Sequence, residues 1–296
     1  MHNTNFEPQD ICKWDKDIDV DLVMHGSPCQ DFSIVGQQAG GDEGSGTRSS
    51  LMYETLRIVG KLKPTYVIWE NVKNIISKKH IHNFNNYIER MNELGYTSYY
   101  QVLNAKDYGI PQNRERVFAI SIRNDIGLDF KFPKKCLSEK CLLDFLEKDV
   151  SDDYSLSEHF LKQIKNTKYK KDFYIDNTNK LLDGYFNTFK VMDYRYDEGL
   201  RIRKNNLCPT LTTRGKQSIS GVPIIYNNKT LRFITEKECW RLMGFDDNDF
   251  RKVKKTGITD TQLYKQAGNS IVVNVLEAIL NNLLIDYKKD KFSDLD

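Results

Sequence analysis

Long apolar runs are what this sequence of 296 residues has least of. No stretch reads as long enough to span a bilayer, and Met1 to Asp10 is polar with no apolar centre. Neither a membrane anchor nor a secretory leader is therefore expected, and the chain reads as soluble and cytoplasmic. Paired cysteine spacing is missing as well. Cys12, Cys29, Cys136, Cys141, Cys208 and Cys239 are scattered, and Cys136 with Cys141 lacks the second couple that a zinc site needs. No metal is expected, and free thiols in a reducing compartment fit better than disulfides. The glycines of Phe32 to Thr47 are not followed by Gly-Lys-Ser/Thr, which argues against a phosphate-binding loop.

A large excess of one charge is absent overall, the net charge being +3, but the charge is unevenly spread. Leu161 to Lys216 holds 13 Lys and Arg against 6 Asp and Glu, a balance of +7, so the rest of the chain sums to −4. Aromatics interleave with the cations in Lys168-Tyr169-Lys170-Lys171-Asp172-Phe173-Tyr174. A solvated basic face would look the same, but this composition also suits a surface that meets nucleic acid.

The first part of the chain alternates. Val20 to Met24 and Tyr66 to Trp69 are apolar runs of strand length, and Ser49 to Leu62 and His82 to Leu94 have helical spacing. Ser98 to Leu103 and Arg116 to Ile122 follow as strands with no clear helix between them, which predicts a doubly wound α/β sheet whose last members form a hairpin. Periodicity weakens from about Asp125 to about Ile225. It returns in Thr235 to Met243, and in a last helix behind Gly268-Asn269-Ser270 that is expected to return to the first domain. The expected organisation is a catalytic domain over 1–125, a smaller domain over 126–258 and a C-terminal helical part over 259–296.

Four short strings carry the chemistry. Pro28-Cys29-Gln30 follows an apolar strand and a Gly-Ser-Pro turn, presenting one thiol beyond a strand's carboxyl end, where open α/β sheets keep their sites. A thiolate is a soft nucleophile suited to reversible attack on an unsaturated carbon, although a cysteine taken alone is more often a buried structural thiol. Glu70-Asn71-Val72 follows Tyr66 to Trp69 and places a carboxyl on the same rim. Burial there would favour an uncharged acid; a capping or salt-bridged Glu is the plainer alternative. In Gln112-Asn113-Arg114-Glu115-Arg116 the two arginines, spaced by two at a strand start, are expected to share a face. Gln266-Ala267-Gly268-Asn269-Ser270 opens the last helix, which Ser270 could simply cap.

Together, in this order, these strings resemble the bacterial cytosine-5 DNA methyltransferases, over roughly Asp10 to Arg123 and Leu200 to Asp286. The resemblance implies a Rossmann-like methyltransferase sheet with a smaller target-recognition domain in the basic middle segment. It implies Cys29 as the nucleophile on cytosine carbon 6, Glu70 as the acid at ring nitrogen 3, and Arg116 on the base carbonyl. Gln30, Ser33, Arg114 and Thr210, the last within Leu207-Cys208-Pro209-Thr210-Leu211-Thr212-Thr213, would meet the DNA or the target base. Asp10 and Ile11 at the adenine ring, with Pro28, Asn269 and Ser270, would hold S-adenosylmethionine. The implied substrate is double-stranded DNA with the target cytosine rotated out of the helix into a pocket, over which Phe32 to Thr47 could close. Restriction–modification is the implied setting, and the chain is otherwise expected to be monomeric.

The family's opening glycine-rich turn and the following strand with a ribose-binding acid do not occur in this sequence. The first strand–helix–strand of the sheet is therefore expected to come from elsewhere, as residues ahead of Met1 or a complementary subunit. Alternatives are a truncated or split-enzyme subunit that binds DNA without turnover, and a thiol methylase acting on free pyrimidine nucleotides.

Overall fold

A computed structural model of the chain describes residues 8–28, 48–136, 138–166, 190–196, 198–203, 205–227 and 230–292. The chain divides into two compact units. One comprises Met1–Leu103, Glu115–Pro133 and Asn281–Asp296; the other comprises Asn104–Arg114 and Lys134–Leu280.

In the first unit the alternating pattern folds as a strand–helix–strand crossover. β1 (Leu22–Gly26) leads through α1 (Met52–Leu62) to β2 (Tyr66–Val72), and β1 pairs with β2 in parallel. α1 buries Met52, Leu56 and Val59, one stripe at helical spacing, and ends where Lys63 turns left-handed (φ 49°) just before Pro64. α2 (Ile81–Glu93) buries Phe84, Tyr87 and Met91 and closes at Gly95 (φ 89°), which donates to Asn92 O. β3 (Tyr96–Asn104) and β5 (Glu115–Arg123) complete the order β1-β2-β5-β3. The hairpin expected at the end of the sheet is thus present, and β5 runs antiparallel to β2, with Val72 opposite Arg116.

Trp69, Val67, Val117 and Ala119 of the sheet pack with the buried stripes of α1 and α2 in one apolar cluster. Ile68, Phe118 and Ile120, on the other face, are equally buried, so β2 and β5 are covered on both sides. β1 differs: Met24 is exposed and the strand is half-buried at best.

The second unit begins with β4 (Gln112–Asn113), which pairs in parallel with β8 (Cys208–Pro209). Its larger sheet, in the order β10-β9-β6-β7, uses β6 (Lys190–Arg195), β7 (Gly199–Ile202), β9 (Ile224–Asn227) and β10 (Thr230–Phe233). Helices α3 (Glu158–Asn166), α4 (Glu236–Arg241), α5 (Asp247–Lys254) and α6 (Asp260–Asn269) accompany it, and α7 (Val273–Phe292) follows. At the head of α4, fully buried Glu238 has its charge balanced. It takes Arg232 in a two-pronged pair (2.9 and 2.8 Å) and accepts from the backbone N–H of Thr235 and Glu147.

Two expectations need correction here. Ser270 does not open the last helix. It closes α6 with extended backbone (ψ 155°), its hydroxyl donates to Gln266 O, and α7 starts only at Val273. Contrary to the reading that no stretch could span a bilayer, Asp260–Leu284 has the length and composition to do so. That stretch is nevertheless two helices, interrupted at residues 270–272, whereas a bilayer span needs its backbone bonds satisfied within the segment.

Candidate active site

The candidate site lies where β1 ends. Gly26 lies opposite Glu70, and a Cβ built on Gly26 would meet Glu70 Oε2 at 3.6 Å, so the carboxyl group sits beside the strand's exit. Glu70 Oε1 accepts from Arg116 Nε at 3.0 Å, with only 12% and 16% of the two side chains exposed. Arg116 Nη1 donates to Glu115 O, and Nη2 makes no hydrogen bond among the described residues. Cys29, Gln30, Ser33 and the loop from Phe32 to Thr47 lie outside the described residues.

The turn leading to Cys29 is held from β2. Ser27 Oγ accepts from the indole Nε1 of Trp69 and from Asn71 Nδ2, each at 2.9 Å. Trp69 is sandwiched: it stacks on His25 (5.9 Å between centroids) and on Phe84 (5.6 Å). His25 is half-buried, bonded to Tyr87 Oη at 2.9 Å, and desolvation of its ring pushes the pKa down to about 3, so the imidazole is neutral at physiological pH. Ser27, Trp69, Asn71 and His25 were not foreseen as site residues. The one sign in the sequence was the polar pair Ser27 and Asn71 directly beside the expected nucleophile and acid.

Two of the described cysteines are poor nucleophile candidates. Cys208 and Cys239 are buried, and burial pushes both thiols up, away from the reactive thiolate.

Asp10 and Ile11 belong to the first unit. Asp10 caps a single 3-10 turn (Ile11–Lys13) by accepting from Cys12 N at 3.0 Å, and Arg57 of α1 clamps that turn by donating to Ile11 O and Trp14 O. An exposed carboxylate with a second oxygen to offer, beside a half-buried isoleucine on a fixed turn, fits the amino edge and flat face of an adenine. Pro28 is half-buried at the end of the Ser27 turn.

In the second unit, strings far apart in sequence interlock. Arg114 is buried, and its guanidinium donates to Leu211 O (3.2 Å), Gly268 O (3.1 Å) and Ser270 O (2.9 Å). Gln112 bridges Leu242 O and Leu211 N, and Thr210 donates to Asn113 O at 2.7 Å. Gly268 has to be glycine, because a Cβ there would lie 2.3 Å from Thr212 O. Arg114, Thr210 and Ser270 are thus parts of one frame, while Asn269 beside them is exposed. The expectation that Arg114 and Arg116 share a strand face does not hold, since β4 ends at Asn113 and β5 starts at Glu115, leaving Arg114 in the break.

The basic segment is described only in part, residues 167–189 lying outside the described residues. In the described part, Asp193, which is buried, pairs with both Arg201 and Arg203, and Glu198 pairs with Arg195 and Arg201.

The family model described as C-5 cytosine-specific DNA methylase matches residues 1–284. The chain belongs to that family. Among curated relatives, the Type II methyltransferase M2.ScrFI of Lactococcus lactis subsp. cremoris is 38% identical over 265 residues, covering 90% of this chain and 67% of the relative. The Type II methyltransferase M.Bsp6I of Bacillus sp. (strain RFL6) is 34% identical, covering 90% of this chain and 79% of the relative. Among solved structures, the S. pombe Dnmt2 methyltransferase superposes with a TM-score of 0.64 at 18% identity, covering 95% of this chain and 84% of its own, a likeness of fold. The methylase is therefore an α/β enzyme that methylates carbon 5 of cytosine in DNA.

Proposed function

We propose that the methylase works through Cys29, Glu70 and Arg116 of its first unit, on a cytosine rotated out of double-stranded DNA. The observation that carries this reading is the Glu70–Arg116 pair at the exit of β1, with Gly26 opposite Glu70 and Cys29 three residues further on.

In this reading the Cys29 thiolate adds to carbon 6, forming a C–S bond while the 5,6 double bond opens. Glu70 delivers a proton to nitrogen 3, so that the displaced electron pair is held as a neutral enamine rather than an anion. Arg116 keeps Nη2 for the base carbonyl oxygen, which gains electron density as the thiolate adds. When bound, S-adenosylmethionine supplies a sulfonium methyl group to carbon 5. Loss of the proton from carbon 5 to water then re-forms the 5,6 double bond and expels Cys29 as thiolate, and nitrogen 3 returns its proton to Glu70.

Asp10 and Ile11 fit the adenine of the cofactor, and exposed Asn269 offers a polar contact for it. The Ser270 hydroxyl and carbonyl are engaged within the frame, which leaves that residue a supporting part. By the same reasoning Arg114 and Thr210 support the frame, and DNA recognition falls to the second unit, including the basic segment. Gln30 and Ser33 remain assigned to the target base on the resemblance of their strings. Among the described residues β1 pairs only with β2. A cytoplasmic restriction–modification role fits the Type II relatives.

Duplexes carrying 5-fluorocytosine test the chemistry, because fluorine cannot leave as a proton and the enzyme stays bonded to the base. The adduct is expected on Cys29 by peptide mapping. An adduct that persists in Cys29→Ala would sink the assignment.

A further inference from the structure

We propose that Arg57 is a positioning residue for the cofactor, its guanidinium on α1 fixing the 3-10 turn from which Asp10 and Ile11 meet the adenine. This rests on the reading of Asp10 and Ile11 given above.

Burial fixes this turn only in part. None of its three residues, Ile11–Lys13, is buried, and Ile11 and the following Trp14 are half-buried. A single turn is unfavourable by itself, because one hydrogen bond returns too little for the backbone rotations that it fixes. Besides the Asp10 cap, its internal bonds run from Lys13 N to Asp10 O (3.0 Å) and from Trp14 N to Ile11 O (3.3 Å). Arg57 adds an anchor from outside: Nη2 donates to Ile11 O and to Trp14 O, each at 2.9 Å, across 46 and 43 positions of sequence.

The cation is itself aimed. Glu54, one helical turn earlier on α1, accepts from Arg57 Nε at 2.8 Å, which leaves the far edge of the guanidinium for the 3-10 turn. Lys61, one helical turn later on the same face, donates to Asp15 O at 2.9 Å and pairs with its carboxylate at 2.6 Å. The opposite stripe of α1, Met52, Leu56 and Val59, is packed in the apolar core, so the anchor stands on a rigid element. Asp10 spends one carboxylate oxygen on Cys12 N. Its other oxygen is the one offered to the amino edge of adenine, and its distance from the Ile11 side chain is set by the backbone whose carbonyl Arg57 holds. The two contacts are thus ordered before the cofactor arrives, which lowers the cost of binding it.

The test uses the full chain and four variants, Arg57→Met, Arg57→Lys, Lys61→Met and Asp10→Asn. Calorimetric binding of S-adenosylhomocysteine, which carries the same adenosine as the methyl donor, is read beside KM, kcat, duplex Kd, thermal unfolding and hydrogen exchange at the Cys12 and Lys13 amides. Arg57→Met is expected to raise the Kd for S-adenosylhomocysteine and the KM for S-adenosylmethionine about tenfold, equivalent to about 1.4 kcal/mol or one charge-assisted hydrogen bond, while kcat and duplex Kd stay within about twofold. The two amides are expected to exchange faster while α1 stays protected. Arg57→Lys, which keeps a charged donor, is expected to regain part of the affinity, and Lys61→Met to lose less than Arg57→Met. Asp10→Asn keeps an oxygen for the cap and loses the second acceptor, so its Kd is expected to rise with no change in exchange. The proposal is overturned if Arg57→Met binds S-adenosylhomocysteine as tightly as the wild type, if its loss lies in kcat or duplex Kd, or if it follows the loss of folded protein. It is equally overturned if the two amides exchange at the wild-type rate, a readout that needs no ligand. Full affinity in Asp10→Asn would instead remove the adenine reading, so the two failures are distinguishable.

Discussion

Arg114 and Arg116 are two residues apart and serve opposite ends. Arg116 spends one nitrogen on a carboxylate and one on a backbone carbonyl, and its Nη2 makes no hydrogen bond among the described residues. Arg114 spends its guanidinium on three backbone carbonyls in the second unit. Three of Arg114's partners are neutral carbonyls that tie backbone together, whereas Arg116 is paired with an acid beside a strand exit, where the proposed mechanism needs it. Residue type and spacing do not separate these roles. The partners do.

The sharpest way to break that contrast is at the acid. Glu70→Gln keeps the shape and loses the proton, so kcat is expected to fall by about 10²–10⁴ with duplex affinity retained in a filter-binding assay. Unchanged turnover would remove Glu70 from the chemistry. Next is the pair of arginines. Arg114→Met leaves three carbonyls without their donor, and a loss of about 3 kcal/mol is expected in denaturant unfolding, or about 6–12 °C in Tm. Arg116→Lys is expected to change stability by less than about 1 kcal/mol while cutting kcat about a hundredfold. If the two variants exchanged these signatures, the division of labour would be reversed.

How much of this could be read from the sequence differs between the units. In the first, Val20 to Met24 and Tyr66 to Trp69 marked β1 and β2 to within a few residues, because short apolar runs of strand length stand out from their polar flanks. The Glu70–Arg116 pair was half legible: each was expected at a strand end, but the antiparallel register that brings 116 opposite 72 is a tertiary fact. In the second unit, β7, β9 and β10 have only four residues each, too short for periodicity to emerge from a Lys- and Asn-rich background. The framework contacts of Arg114 were not legible because its three carbonyls come from residues 97, 154 and 156 positions later. Ser27 was read only as a turn residue, since its two donors also come from a distant strand.

A smaller effect sharpens the account of the first unit's core. His25 is held neutral with its pKa near 3, below the unfolded value near 6.5. The native state therefore binds fewer protons than the unfolded one between these values. The stabilisation is complete above about pH 6.5 and is lost as pH falls toward 3, by up to about 1.4 kcal/mol per pH unit. Urea unfolding of wild type and His25→Gln between pH 6 and 4 checks this; equal slopes would mean that the His25 ring is not desolvated as described.

Salt dependence offers the smallest contrast, within the basic segment. Replacing Lys168, Lys170 and Lys171 by Gln is expected to reduce the slope of log Kd against log salt by about 0.9 for each phosphate that is no longer neutralised. Arg203→Gln should change it less, since Asp193 already holds that guanidinium at 2.7 Å. A larger change for Arg203 would place DNA on the β6–β7 hairpin instead.

The central claim, that the first unit does the chemistry and Arg114 only supports the second unit's frame, is tested most directly by release of tritium from duplex DNA labelled at carbon 5 of cytosine. That hydrogen leaves only after carbon 6 has been attacked. The account predicts release by the wild type and, per folded molecule, by Arg114→Met, with none from Cys29→Ala and little from Glu70→Gln. Release from Cys29→Ala at the wild-type rate, or its absence in folded Arg114→Met, would contradict it.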